Sequence, residues 1–96
     1  NVSITNSVDK CISVGERSDL IIENTLVQGC HIGVAAKDGS IVHINNSKIK
    51  DNEIGISAYV KKAFFPSPTI EVTNTIFSNN TEEVQQLNDS LISISR

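Results

Sequence analysis

Apolar and polar residues alternate in short bursts along the chain: Val2-Ser3-Ile4-Thr5, Leu20-Ile21-Ile22-Glu23, Val42-His43-Ile44-Asn45, Ile70-Glu71-Val72-Thr73 and Ile92-Ser93-Ile94-Ser95. Alternation with period two sends the apolar pair to one face and the variable pair to the other, so each burst predicts a half-buried strand. The first four bursts are followed by Asn and then Ser or Thr: Asn6-Ser7, Asn24-Thr25, Asn46-Ser47 and Asn74-Thr75. A longer stretch repeats too, since residues 22–34 read IENTLVQGCHIGV and residues 44–56 read INNSKIKDNEIGI. The bursts begin at Val2, Leu20, Val42, Ile70 and Ile92, which gives spacings of 18, 22, 28 and 22 residues. A fixed motif on an irregular period implies one constant wall joined by variable connections.

Two further strands fit between successive bursts. One reads Ile12-Ser13-Val14, Ile32-Gly33-Val34 and Ile54-Gly55-Ile56, and the other is carried by Leu26-Val27, Ile49 and Ile76-Phe77. Three short strands per turn, stacked on copies of themselves, predict an all-β chain folded as a right-handed parallel β-helix of about four coils. In that arrangement Asn6, Asn24, Asn46 and Asn74 recur at one corner. Asn tolerates left-handed backbone angles, and stacked amides can pair with those above and below, so the row predicts an asparagine ladder. The 28-residue spacing carries an insertion at residues 60–68, VKKAFFPSP, whose apolar surface either folds back on the wall or presents a contact patch. Residues 80–87 lack the apolar-Gly-apolar strand, and Thr81 followed by Glu82 and Glu83 predicts a helical turn instead.

Composition narrows the function classes. Ninety-six residues with a net charge of −3 and interspersed signs offer no basic stripe for nucleic acid. No apolar run approaches the 18 or so residues of a membrane-spanning helix. The whole chain, residues 1–96, reads as one β-helix segment, and its start at Asn1 within a strand-like pattern suggests an excerpt of a longer protein. Uncapped end coils point the same way, toward flanking domains of a parent protein or end-to-end self-association.

The motif of two apolar residues, Asn, Ser or Thr, and then apolar-Gly-apolar resembles the repeats of right-handed parallel β-helix proteins of the pectate-lyase-like superfamily. The segments SVGE, KDGS and YVKK, at residues 13–16, 37–40 and 59–62, resemble signatures of one bacterial group of β-helix proteins. The superfamily includes polysaccharide lyases, hydrolases, epimerases and adhesins, so the resemblance bears on fold far more than on activity. It implies a secreted or cell-surface location and a polysaccharide partner. Two functions stay open: a non-enzymatic scaffold or carbohydrate-associated binding module, and a polysaccharide lyase, hydrolase or epimerase or a piece of one.

Candidate chemistry gathers where each coil leaves its second strand. Stacking brings Glu16, Arg17, Lys37, Asp38, Tyr59, Lys61 and Lys62 to one edge, which reads either as a charged groove for an acidic or hydroxyl-rich polymer or as a ladder of surface ion pairs. An outward column of Ser3, Ile21, His43, Glu71 and Ser93, with Glu23 beside it, holds the only acid or base candidates for catalysis: Glu23, His43 and Glu71. Ser13, Gly33 and Gly55 form another outward column, read as a tight bend or a flat contact strip. His31 shares a column with Cys11 and Glu53, too few ligands for a metal, and no cofactor is implied. Cys11 and Cys30 fall on different faces, so free thiols are expected, with Cys30 in the core.

Overall fold

The computed structural model describes residues 2–62 and 64–95; Ala63, inside the expected insertion, lies outside them, as do Asn1 and Arg96. Twelve strands follow one another: β1 (Val2–Thr5), β2 (Lys10–Val14), β3 (Asp19–Glu23), β4 (Thr25–Gln28), β5 (Ile32–Lys37), β6 (Ile41–Asn45), β7 (Lys48–Lys50), β8 (Ile54–Tyr59), β9 (Thr69–Thr73), β10 (Ile76–Ser78), β11 (Glu82–Gln86) and β12 (Leu91–Ser95). They make three parallel sheets, β1-β4-β7-β10, β2-β5-β8-β11 and β3-β6-β9-β12. Each coil visits the first, second and third sheet in turn, and four coils stack into a right-handed parallel β-helix.

Stacking in register gives the apolar alternation its core. Leu20, Val42, Ile70 and Ile92 form one column of the third sheet, and Ile22, Ile44, Val72 and Ile94 another. Val27 and Ile49 from the first sheet and Val34, Ile56, Ala36 and Ala58 from the second close the core. β-Branched side chains fill these columns because their stiff χ1 angles suit a pleated wall with identical neighbours above and below.

The first burst belongs to a different wall from the other four. Val2 pairs with Thr25 and Ile4 with Val27, so β1 lies in the first sheet rather than on Leu20-Ile21-Ile22-Glu23. Asn6 accordingly leaves the expected ladder: its N–H donates to the Gln28 carbonyl at the next corner. Asn–Ser after an alternating tetrapeptide suits either corner, because both need a left-handed residue, and the sequence pattern alone confuses them. With β1 placed correctly the spacing is 23 residues from Val2 to Thr25 and otherwise regular. It is 22 residues from Ile12 to Val34 and from Ile70 to Ile92, and 28 from Ile54 to Glu82, where the insertion intervenes.

Three other expectations change. Residues 82–86 form β11, not a helical turn, pairing Glu82 with Ile54 and Val84 with Ile56. A segment this short cannot nucleate a helix, whereas the open edge of β8 supplies a ready ladder. Ser13 stacks with Ala35 and Ser57, not with the glycines. A Cβ on Gly33 would meet Ile49 and Asn52 and sit 2.5 Å from the Gly55 carbonyl, so the glycines face inward at a tight bend. Val34 also faces the core, while Ile32, Ala35 and Ile54 form a second buried cluster, against which Tyr59 packs.

The third change concerns sulfur. Cys11 and Cys30 form a disulfide across the first two coils, with Cα atoms 5.7 Å apart, instead of remaining free thiols. Cys30 is not part of a strand; it sits inward at the corner before β5, and Cys11 lies between Lys10 and Ile12, which stack on Ile32 and Val34. The faces of two strands therefore do not apply to this pair. His31 lies between Asp9 and Glu53 rather than beside Cys11, and its Nδ1 is 3.2 Å from the Glu53 carboxylate.

Candidate functional site

The corner between the second and third sheets is built from left-handed turns. Glu16, Arg17 and Asp38 have φ of 42°, 61° and 51°, and Gly39 follows at 75°. These angles reverse the chain within a few residues, so the charged side chains of successive coils are held close together. Asp38 is the keystone. Its side chain is buried, its Oδ1 accepts the backbone N–H groups of Lys61 at 2.7 Å and Lys62 at 2.9 Å, and its carbonyl accepts the Arg17 N–H at 2.9 Å. One residue thereby ties three coils together.

Burial pushes the Asp38 carboxyl up, but the N–H groups of Lys62 and Lys61 and the charges of Lys62 and Lys37 outweigh it and hold its pKa below the ordinary 3.8. Lys62 forms an ion pair with Glu16 two coils away, and that hydrogen bond with the carboxylate charge raises the ammonium above 10.5. Both carboxylates of the edge are thus engaged within the fold. Lys37 stacks opposite Tyr59, and among the described residues neither Lys37 nor Lys61 has a carboxylate at ion-pair distance.

The insertion divides its two aromatic rings between two tasks. Phe65 lies under the Arg17 guanidinium, 5.6 Å from the ring centre, and Pro66 packs toward Gly39, so this half folds back on the wall. Phe64 touches the Phe65 ring at 4.7 Å between centres but remains 79% exposed. Both ends are tied to Asn88 in the fourth coil: Ser67 Oγ donates to its carbonyl at 2.6 Å and Val60 N–H to its Oδ1 at 2.9 Å. The loop is a strap along all four coils with one ring presented outward.

The other candidate residues are brought together only in part. His43 and Glu71 are register partners, with Nδ1 and Oε1 3.0 Å apart. Glu23 stacks on Asn45, two positions along, and Ser3 belongs to the first sheet. Of Glu23, His43 and Glu71, then, only the last two make contact. Among the described residues no three His, Cys, Asp or Glu side chains converge as metal ligands.

At the corner between the third and first sheets, Asn24, Asn46 and Asn74 do stack, all left-handed, and Asn74 Nδ2 donates to Asn46 Oδ1 at 2.5 Å. Directly behind them Thr25, Ser47 and Thr75 form a buried hydroxyl row, in which Ser47 Oγ accepts the Thr25 N–H at 3.2 Å. A second amide row went unrecognised in the sequence. At the corner before the second sheet, Asn52 Oδ1 accepts the Cys30 N–H at 2.9 Å, and Asn80 Oδ1 accepts from Asn52 Nδ2 at 3.0 Å and from its N–H at 3.1 Å. The available signal was spacing: Asn52 and Asn80 are separated by the same 28 residues as Ile54 and Glu82.

No family model, curated protein or solved structure matches the chain. Among the described residues no helix is long and apolar enough to cross a membrane.

Proposed function

We propose that this chain is a non-enzymatic β-helix binding module or scaffold, associated with carbohydrate in a larger secreted or cell-surface protein, and that its charged corner holds an anionic polymer. The observation that carries this reading is a local excess of positive charge. Arg17, Lys37, Lys61 and Lys62 are half of the eight Lys and Arg residues, while only three of the eleven Asp and Glu, Glu16, Asp38 and Asp89, share their corner. Glu16 and Asp38 are engaged within the fold, and the corner keeps a net positive charge on an otherwise acidic protein. Such a field attracts and orients polyanions. The exposed ring of Phe64 adds an apolar surface beside the cations. A relation to pectate-lyase-like β-helix proteins is part of the reading and rests on the repeat motif. The disulfide favours an oxidising compartment, as secretion would supply.

The test is retention on immobilised acidic and neutral polysaccharides, with assays for new reducing ends and unsaturated products in the same wells. Wild type should be retained on acidic polymers, and retention should weaken as salt rises. Replacing both Lys37 and Lys61 by Ala should remove most of it. Product formation would instead support a lyase or hydrolase, and the contact between His43 and Glu71 is where that second reading would look for its acid and base.

A further inference from the structure

The Asn24–Asn46–Asn74 corner is flanked by two hollows. Asn24, Thr25, Leu26, Asn46 and Lys48 line a hollow of about 260 Å³ with Val2 and Ser3 at its end. Asn74, Thr75, Ile76 and Phe77 line another of about 280 Å³. The two lie along the same corner, because Leu26, Lys48 and Ile76 are register partners in the first sheet and the three Asn residues stack beside them. Together they make a shallow groove parallel to the helix axis, with an amide row on one bank and a mixed apolar row on the other.

We propose that this groove binds a neutral, hydroxyl-rich glycan chain lying along the axis, as a second site of the binding module; the inference rests on that reading of the protein. Each Asn side chain offers two donors and an acceptor, which matches sugar hydroxyls that donate and accept in turn. Asn46 Oδ1 is taken by Asn74, which leaves its N–H groups directed to other partners, while the hydroxyls at the base are bonded to backbone carbonyls. Leu26 and the exposed Ile76 supply apolar contact for the C–H faces of a sugar ring. Lys48 is the single charge on the lining, so nothing there selects a polyanion. An extended peptide is disfavoured along the whole groove, because β4 and β7 are paired on both sides and only β10, the last strand of the sheet, has an edge to offer, beside the second hollow.

Neutral hexasaccharides of β-1,4-glucose, β-1,4-xylose and α-1,4-glucose, titrated into the folded chain and followed by amide chemical shifts, give the probe. Binding of at least one, with shifts centred on residues 24–26, 46–48 and 74–77, is expected. Asn46→Asp keeps the left-handed turn but replaces the N–H₂ donor, and Ile76→Arg fills the second hollow; both should weaken binding about tenfold, the loss of one or two hydrogen bonds or equivalent contacts. Lys37→Ala with Lys61→Ala should leave it unchanged. Neutral binding that survives both groove variants overturns the proposal. So does an absence of neutral binding alongside lysine-dependent retention of acidic polymers, an outcome that leaves the module reading standing. Failure to bind either class removes both.

Discussion

Two rows of asparagine climb this helix at neighbouring corners. Asn24, Asn46 and Asn74 repeat in an obvious motif, yet their side chains are exposed and one amide-to-amide bond joins them. Asn52 and Asn80 sit in stretches with little resemblance, and Asn52 is almost fully buried, serving the Cys30 N–H, the Asn80 amide and the Val27 carbonyl. The exposed row meets a backbone requirement, with φ of 51°, 51° and 47° at its three members, which Asn tolerates and most residues do not. The buried row meets a hydrogen-bonding requirement. At that corner the Cys30 N–H lies between strands, and the inward Asn52 amide reaches it. Visible repetition therefore marks where the chain must turn, and the amide that matters more for stability is the less repetitive one.

The sharpest way to break this comparison is to remove one amide from each row. Asn52→Ala leaves the Cys30 N–H unsatisfied in the interior, at about 1–3 kcal/mol, and removes the amide that bonds Asn80, so a loss of roughly 3 kcal/mol is expected. Asn46→Ala forces a Cβ-bearing residue without side-chain compensation into a left-handed turn, for about 1–2 kcal/mol, and Asn46→Gly should restore nearly all of it. Chemical denaturation of the three variants measures the order. Equal losses at Asn46 and Asn52, or no rescue by Gly, would show that the exposed row is held by its amides after all.

The same contrast explains what could be read from the sequence. The alternating bursts reveal inward columns because a β-helix needs stiff apolar residues at fixed places, and four of the five bursts do stack as expected. The gathering of Glu16, Lys37, Asp38, Lys61 and Lys62 was legible for the same reason: it follows from where strands end. What stayed hidden is what happens within corners. Val2-Ser3-Ile4-Thr5-Asn6-Ser7 fits two walls equally well, and one extra residue in the first coil, near the fully exposed Val8, decides between them. The roles of Cys30, Asn52 and Asp38 depend on inward direction at turns, where period-two counting no longer applies.

A more local effect is expected where the buried row reaches its covalent end. Cys30 occupies the Asn52 column in the second coil, and its side chain reaches back to Cys11 in the first. Closing a loop with a sequence separation of 19 stabilises by about 3 kcal/mol in the chain-entropy model, often less in practice. Reduction should therefore loosen the first coil while the other three keep their ladders. Hydrogen exchange with and without reductant checks this, with β1 and β2 losing protection and β5 to β9 retaining it. Uniform loss across all four coils would mean that the disulfide supports the whole stack rather than one end of a row.

Asp38 extends the comparison to the third corner and adds a dependence on pH. Like Asn52, it is a buried polar side chain that accepts backbone N–H groups of a neighbouring coil, but it carries a charge. Its folded pKa lies below the unfolded value of 3.8. The stabilisation is therefore complete above that value and is lost as pH falls through the folded pKa. Asp38→Asn keeps an oxygen for Lys61 and Lys62 while removing the titration, so its melting temperature should fall less steeply than that of wild type between pH 4 and pH 2. Two parallel acid limbs would place the sensitivity on other carboxylates and make Asp38 equivalent to Asn52, an acceptor whose charge contributes nothing.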